Sequence, residues 1–349
     1  MKKEIKASVV VCAFNEEKRL AKCLDSIKVQ IKGVDGIELL IVDNDSVDNT
    51  ALIAKEFVSS NALDINVRYI RIKHVDLTIS RNTGVKQTNG EFIVFIDADA
   101  YADKSWLAEL LSGFETDVDI VSGRVENLNH ESYFSNFIYN SHFKASVFGR
   151  NSKLIGANMA IRRTVFDAVG GFMDQVKGRG DEVSLATKYF TLFPEKKQQH
   201  VNSAVVYNEH PERLKVWLKQ QYNEGKSYMA ILRLTDNLKF RENLKNVMRF
   251  MNLAFWVGVL PSFYIGNIEI LIVLFGCMII RNGFRIKYIS SALYYTKNNI
   301  GFFESLLVIP NALLGTLVLD FGCIKELVFG EKLVSKNARM ITSQIIDEC

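Results

Sequence analysis

Asp97-Ala98-Asp99 follows the apolar run Phe92-Ile93-Val94-Phe95-Ile96, so two carboxylates close what the pattern predicts to be a buried strand. In an α/β sheet, ligands bind beyond the carboxyl ends of the strands, and this spacing suits a divalent cation that holds a diphosphate. Residues two apart on a regular strand share a face. Departure from the strand here lets one carboxylate reach a metal while the other reaches a sugar hydroxyl.

The elements that position this pair can be read from apolar periodicity. Strands are expected over residues 8–12, 37–42, 67–72, 92–96 and 119–125. Between them, Leu20, Leu24 and Ile27 mark a helix with acids in its first turn, and helices are expected over 48–57, 79–85 and 106–114. Thr88-Asn89-Gly90 ends the third helix before the strand that carries the acids. Alternation of short apolar strands and helices predicts a mostly parallel sheet covered on both faces. The segment 126–156 is aromatic and polar. Its Tyr133, Phe134, Phe137, Tyr139, Phe143 and Phe148 either line an acceptor groove or cover the sheet.

A net charge of +4 over 349 residues is too small for a nucleic-acid-binding surface, and no nucleic-acid partner is expected. The five cysteines are scattered, with no CxxC pair or zinc-like spacing. Lys2 and Lys3 lead into a strand without a signal-peptide core, so the first domain is expected to face the cytoplasm. Beyond Lys196 the character changes: 210–233 is charged and amphipathic, 238–249 is basic, and 250–280 carries only Glu269 as a charge. That run, interrupted by Pro261 and Gly266 and followed by Arg281, Arg285 and Lys287, is expected to attach to or cross a membrane. A second apolar stretch, 306–324, contains Asn311 and Asp320. The expected domains are 1–235, holding the site, and 236–349, an amphipathic linker with hydrophobic membrane-associated helices.

Five motifs in this order resemble the inverting nucleotide-sugar glycosyltransferases of family 2: Ala13-Phe14-Asn15-Glu16-Glu17, Val42-Asp43-Asn44-Asp45-Ser46, Ser80-Arg81-Asn82-Thr83-Gly84, Asp97-Ala98-Asp99, and Gly156-Ala157-Asn158 with Gly180-Asp181-Glu182 downstream. The resemblance spans about 200 residues. It implies a GT-A, Rossmann-like α/β fold and a nucleoside-diphosphate sugar donor, UDP-linked by preference. It also implies a Mg2+ or Mn2+ cofactor and a glycan or lipid-linked acceptor at the membrane.

Carried residue by residue, the resemblance puts Asp43 on the nucleotide base, where a carboxylate accepts from an N–H of uracil or guanine; the alternative is an Asx turn. Ala13, Asn15 and Glu16 fall beside base and ribose, and Arg81 near the diphosphate or in a pair with an acid at the sheet edge. Asp99 becomes the metal ligand and Asp97 its neighbour by the ribose or water shell. His210, with His200 behind it, is the candidate third ligand.

Asn158 is expected to face donor sugar or acceptor. Arg162 and Arg163 suit an acceptor phosphate or a solvated helix start. Family members carry the base in a Gly-Glu-Asp signature; here the acids are exchanged, so Glu182 is the first choice for general base and Asp181 the second, with helix capping as the alternative. Gly178-Arg179-Gly180 is expected to be a loop that closes over the donor. Absence of a Gln-x-x-Arg-Trp signature favours single-sugar transfer over polymerisation.

Two other classes fit parts of the pattern. A nucleotidyltransferase needs a Gly-rich basic loop after the first strand, which Ala13-Phe14-Asn15-Glu16 does not supply. A non-catalytic scaffold of this fold needs none of the acids that are present.

Overall fold

The computed structural model describes residues 6–32, 36–129, 132, 135, 136, 139, 154–177, 180–210, 212–234, 249, 250 and 308–329, with single positions at 253, 269, 272 and 276. Two compact units divide the chain: Met1–Lys177 with Asp181–His210, and Gly178–Gly180 with Pro211–Cys349.

The first unit is built on strands β1 (Ala7–Ala13), β2 (Ile37–Asp43), β3 (Asn66–Arg71), β4 (Phe92–Ile96), β5 (Ala100–Ala102), β6 (Val118–Asn127), β7 (Asn158–Arg162) and β8 (Lys197–Asn208). They form one sheet in the order β3-β2-β1-β4-β7-β6-β8-β5. Helices α1 (Leu20–Ile31), α2 (Thr50–Asn61), α3 (Leu77–Lys86), α4 (Trp106–Ser112), α5 (Arg163–Ala168) and α6 (Asp181–Leu192) accompany it.

Every residue of β2 and β4 is buried, as continuous apolar runs between two helical layers must be. Period-two alternation then separates two cores. Val9, Val11, Leu39, Ile41, Val94 and Ile96 pack with Leu20, Leu24 and Ile27 of α1, the i, i+4, i+7 stripe that makes α1 amphipathic. Val10, Leu40, Val42, Ile93 and Phe95 pack on the other side with Phe166, Phe172, Leu185 and Tyr189. Truncating a buried leucine such as Leu24 costs about 2–5 kcal/mol at positions of this kind.

Among the described residues the sheet is mostly parallel, as expected, but mixed: six of its eight strands run one way and two are reversed. β7 runs antiparallel to both β4 and β6, and β5 antiparallel to β8. The consequence for the site is direct: Ile96 pairs with Asn158, so β7 starts where β4 ends and its leading turn, Gly156-Ala157, is delivered beside Asp97.

In the second unit α7 (Leu214–Leu234) packs on α8 (Val308–Phe329). Their backbones approach so closely that a Cβ on Gly225 would fall 2.1 Å from the Leu319 carbonyl oxygen, and one on Gly322 2.2 Å from that of Tyr222. Arg233 Nη1 donates to the Glu326 carbonyl oxygen at 2.6 Å, and buried Arg249 lies 3.8 Å from buried Asp320. Among the described residues no helix is long and apolar enough to cross a membrane. The expected attachment run 250–280 lies outside the described residues apart from five single positions, as do Gly178, Arg179, and Tyr133, Phe134, Phe137, Phe143 and Phe148 of the aromatic segment.

Candidate active site

The loops after β1 and β2 are stitched into one surface. Asn15 N donates to Ser46 Oγ at 3.0 Å, Val47 N to Asn15 Oδ1 at 2.9 Å, and Glu16 N to Thr50 Oγ1 at 2.7 Å. Asn15 and Asp45 adopt left-handed φ of 56° and 64°, a conformation in which the short polar side chains of Asn and Asp are tolerated. Asp43, at the end of β2, is 0% exposed. Its Oδ1 accepts from Ser46 N at 2.9 Å and its Oδ2 from the Tyr69 hydroxyl at 2.9 Å. The Asx-type turn is therefore present at Asp43, and the carboxylate lies beneath the loop. In the loop after β1, Phe14, 43% exposed, packs on His74 with ring centroids 4.3 Å apart.

Beyond β4 the acids Asp97, Asp99 and Glu16 lie within electrostatic reach of one another. Asp99 has its side chain 28% exposed, with Oδ2 at 3.7 Å from Arg19 Nη1. Its Oδ1 is buried and has no hydrogen-bond partner. Burial, then the charges of Asp97 and Glu16, push its pKa up to about 7, with Arg19 opposing. Burial likewise raises Glu16, opposed by Arg19, which binds it at 2.7 Å. Such an excess of desolvated carboxylate is a place where a hard cation fits.

Arg81 joins this acidic corner to the far wall. It emerges from α3 with its side chain 3% exposed, under the rings of Phe95 and Phe172 at 5.4 and 5.8 Å. Nη2 donates to Asp97 Oδ1 at 2.6 Å and to the Gly156 carbonyl at 2.9 Å, while Nη1 bonds Asp181 Oδ2. Gly156 is a matter of space: a Cβ there would lie 2.9 Å from Arg81 Nη1, and 3.4 Å from both Asp181 Oδ2 and Glu182 Oε2. Asp97, Asp181 and Glu182 thus border one small volume.

Other expected site residues lie elsewhere. Asn158, expected at the donor sugar or acceptor, has its side chain inside the sheet layer. It is 0% exposed, its Oδ1 accepts from Trp106 Nε1 at 2.8 Å, and its Nδ2 donates to the carbonyls of Arg124 and Ala204 at 2.9 Å each. The amide is spent tying β7 to its neighbours. Arg162 and Arg163 stand at the other end of the sheet, since Arg162 pairs with Phe92 and Arg163 donates to Gly90 and Thr88. His210 stacks on Tyr139 at 5.9 Å, and His200 Nδ1 is 3.2 Å from Ser122 Oγ. Among the described residues no three His, Cys, Asp or Glu side chains gather closely enough to hold a metal ion, so Asp97, Asp99 and His210 are not one cluster. Ala13 ends β1 beside Asp43.

Arg19 and Tyr69 were missed by sequence reasoning. The spacing of Glu16 and Arg19, three apart at a helix start, was the available signal for the first. Nothing local marks the second.

The model of the family described as Glycosyl transferase family 2 matches residues 8–170, and that of Glycosyl transferase family group 2 matches residues 92–317. The glycosyltransferase AglE of Haloferax volcanii is 29% identical over 313 residues, covering 81% of this chain and 95% of AglE. Among solved structures, the mannosyltransferase PcManGT of Pyrobaculum calidifontis, in complex with GDP-Man and Mn2+, superposes with a TM-score of 0.57 at 17% identity, covering 95% of this chain and 89% of that one. TarS of S. aureus, in complex with UDP-GlcNAc, does so with a TM-score of 0.50 at 16% identity, covering 94% and 95%. With the second family model spanning well over half of the sequence, the chain belongs to glycosyltransferase family 2, the enzymes that move a sugar from a nucleotide-sugar donor.

Proposed function

We propose that this enzyme transfers a single sugar from a nucleoside-diphosphate sugar, UDP-linked by preference, to a hydroxyl of a glycan or lipid-linked acceptor, with inversion at the anomeric carbon. One observation carries the reading: Asp97 and Asp181 meet on the same buried guanidinium, with Glu182 beside Gly156. An acidic corner suited to a cation and an acid suited to proton transfer are therefore linked through one side chain.

In this scheme the loops after β1 and β2 take the nucleoside, with Asp43 shaping the pocket under the base and Phe14 covering it. Asp99 and Asp97 hold Mg2+ or Mn2+, which supplies charge stabilisation to the departing diphosphate. Mg2+ sites of this kind commonly use one or two carboxylates together with substrate phosphates and water, so the carboxylates present suffice without His210. The Mn2+ and nucleotide sugars named with PcManGT and TarS support the cofactor and donor class. Glu182 takes the proton of the acceptor hydroxyl, because Asp181 is already committed to Arg81 and is a poorer proton acceptor for it. The apolar run 250–280 and the basic residues before it support a membrane-attached enzyme with its catalytic unit on the cytoplasmic side.

The test is a panel of UDP- and GDP-sugars with MnCl2 or MgCl2 and membranes carrying the full chain, products being read by mass. Transfer of one sugar, lost in Asp99→Asn, is the expected result. Undiminished nucleotide release by that variant would remove the metal role, and flotation of the full chain with anionic vesicles checks the attachment.

A further inference from the structure

Arg81 lies where the family resemblance expects a basic residue for the diphosphate, yet its geometry is that of an internal brace. The guanidinium is buried, stacked near two aromatic rings, and bonded to Asp97, Asp181 and the carbonyl of Gly156. Those three partners sit on separate segments: the end of β4, the turn before β7 and the first residue of α6. A planar fork with five donors can satisfy all three at once; a lysine ammonium on a flexible stem cannot reproduce that geometry.

We propose that Arg81 is a positioning residue that fixes the start of α6 against β4 and thereby dictates the order Asp181-Glu182. Resting on the transfer centre argued above, this explains why the two acids stand exchanged relative to the Gly-Glu-Asp signature. With Arg81 anchored on Asp97 and with Gly156 leaving no more than a hydrogen's room beside Nη1, the acid at 181 must be the shorter one. The neighbour, Glu182, is the longer one, and its Oε2 comes as near the Gly156 Cβ position as Asp181 Oδ2 does, 3.4 Å. Arg81 acts through Asp181 on Glu182 and does not touch the donor.

Two variants of the full chain test this, Arg81→Lys and the double exchange Asp181→Glu/Glu182→Asp, the second conserving every charge. Both should bind UDP or GDP in EDTA, where the hold of Asp97 on a metal plays no part, with Kd within about threefold of wild type, since no phosphate contact is lost. With the donor found in the panel, kcat should fall on the order of a hundredfold with little change in donor KM, as expected for misplacement of a reacting group by about an ångström. Amide exchange in the first turn of α6 should quicken in Arg81→Lys while β1, β2 and β4 exchange as before.

A tenfold or greater rise in nucleotide Kd in Arg81→Lys would make Arg81 a phosphate ligand and overturn the proposal. So would unchanged exchange in α6, or a double exchange as active as wild type. Should wild-type protein turn over no donor at all, the transfer centre itself falls, and the α6 exchange rates still decide whether Arg81 holds that helix.

Discussion

Arg19 places its guanidinium 3.7 Å from Asp99 Oδ2 while its other edge binds Glu16 at 2.7 Å. A side chain thus supplies positive charge beside Asp99, and in the proposed scheme it competes with the cation. Replacing it by alanine should tighten Mn2+ binding about two- to fivefold at low ionic strength, a modest effect because the arginine is partly solvated. Calorimetric titration near pH 8.5, where Asp99 is ionised in both proteins, reads the difference, and added salt should shrink it. Weaker Mn2+ binding by Arg19→Ala would instead mean that Arg19 orders the site.

The raised pKa of Asp99, about 7 against an ordinary 3.8, has a signed consequence for stability. A carboxyl whose native pKa exceeds its unfolded value binds protons better when folded, so the metal-free protein loses stability as pH climbs from about 4 to about 7 and no further. At about 1.4 kcal/mol per unit this amounts to a few kcal/mol. Asp99→Asn should therefore melt above wild type at pH 8 and level with it at pH 4, and MnCl2 should raise the wild-type transition alone. Parallel melting curves at both pH values would contradict the shift.

Asn158→Ala should damage the fold more than the site. It leaves Trp106 Nε1 and two backbone carbonyls without their buried partner, at about 1–3 kcal/mol for each unsatisfied group before relaxation. A loss of about 3–5 kcal/mol in urea unfolding is expected, with nucleotide Kd unchanged in the folded fraction. A purely kinetic defect would return Asn158 to the ligand side.

Phe14→Ala should weaken UDP and GDP alike, by about 1–2 kcal/mol, since a π-face stacks on any base. A loss confined to one nucleotide would point to edge recognition and away from stacking. Fluorescence competition with a labelled nucleotide measures both.

Much of the first half of the sheet was legible because its strands are continuous apolar runs and its helices carry clean stripes. β1, β2, β3 and β4 fall within a residue or two of expectation, and β6 likewise. β7 and β8 were not foreseen: β8 is polar over most of its length, with its buried residues concentrated in its second half, and β7 is only five residues long. In the site, the loop partners of Asn15 and Glu16 come from one neighbouring crossover and follow from the α/β pattern. Arg81 could not be read so fully, because its acid partners lie 16 and 100 residues away. Asn158 misled for a physical reason: a small-residue turn beside an asparagine looks like space for a sugar, whereas here the amide is a cross-strand tie.

Both rims of the sheet are blunted. β5 offers only three residues, and β3 buries only Val67 and carries Arg68 and Arg71 exposed, Arg68 tethered to buried Glu38 at 3.0 Å. Short rims and rim charges are what keep one molecule's ladder from extending into the next. Copies crowded together at high concentration should therefore not zip into strand-paired aggregates.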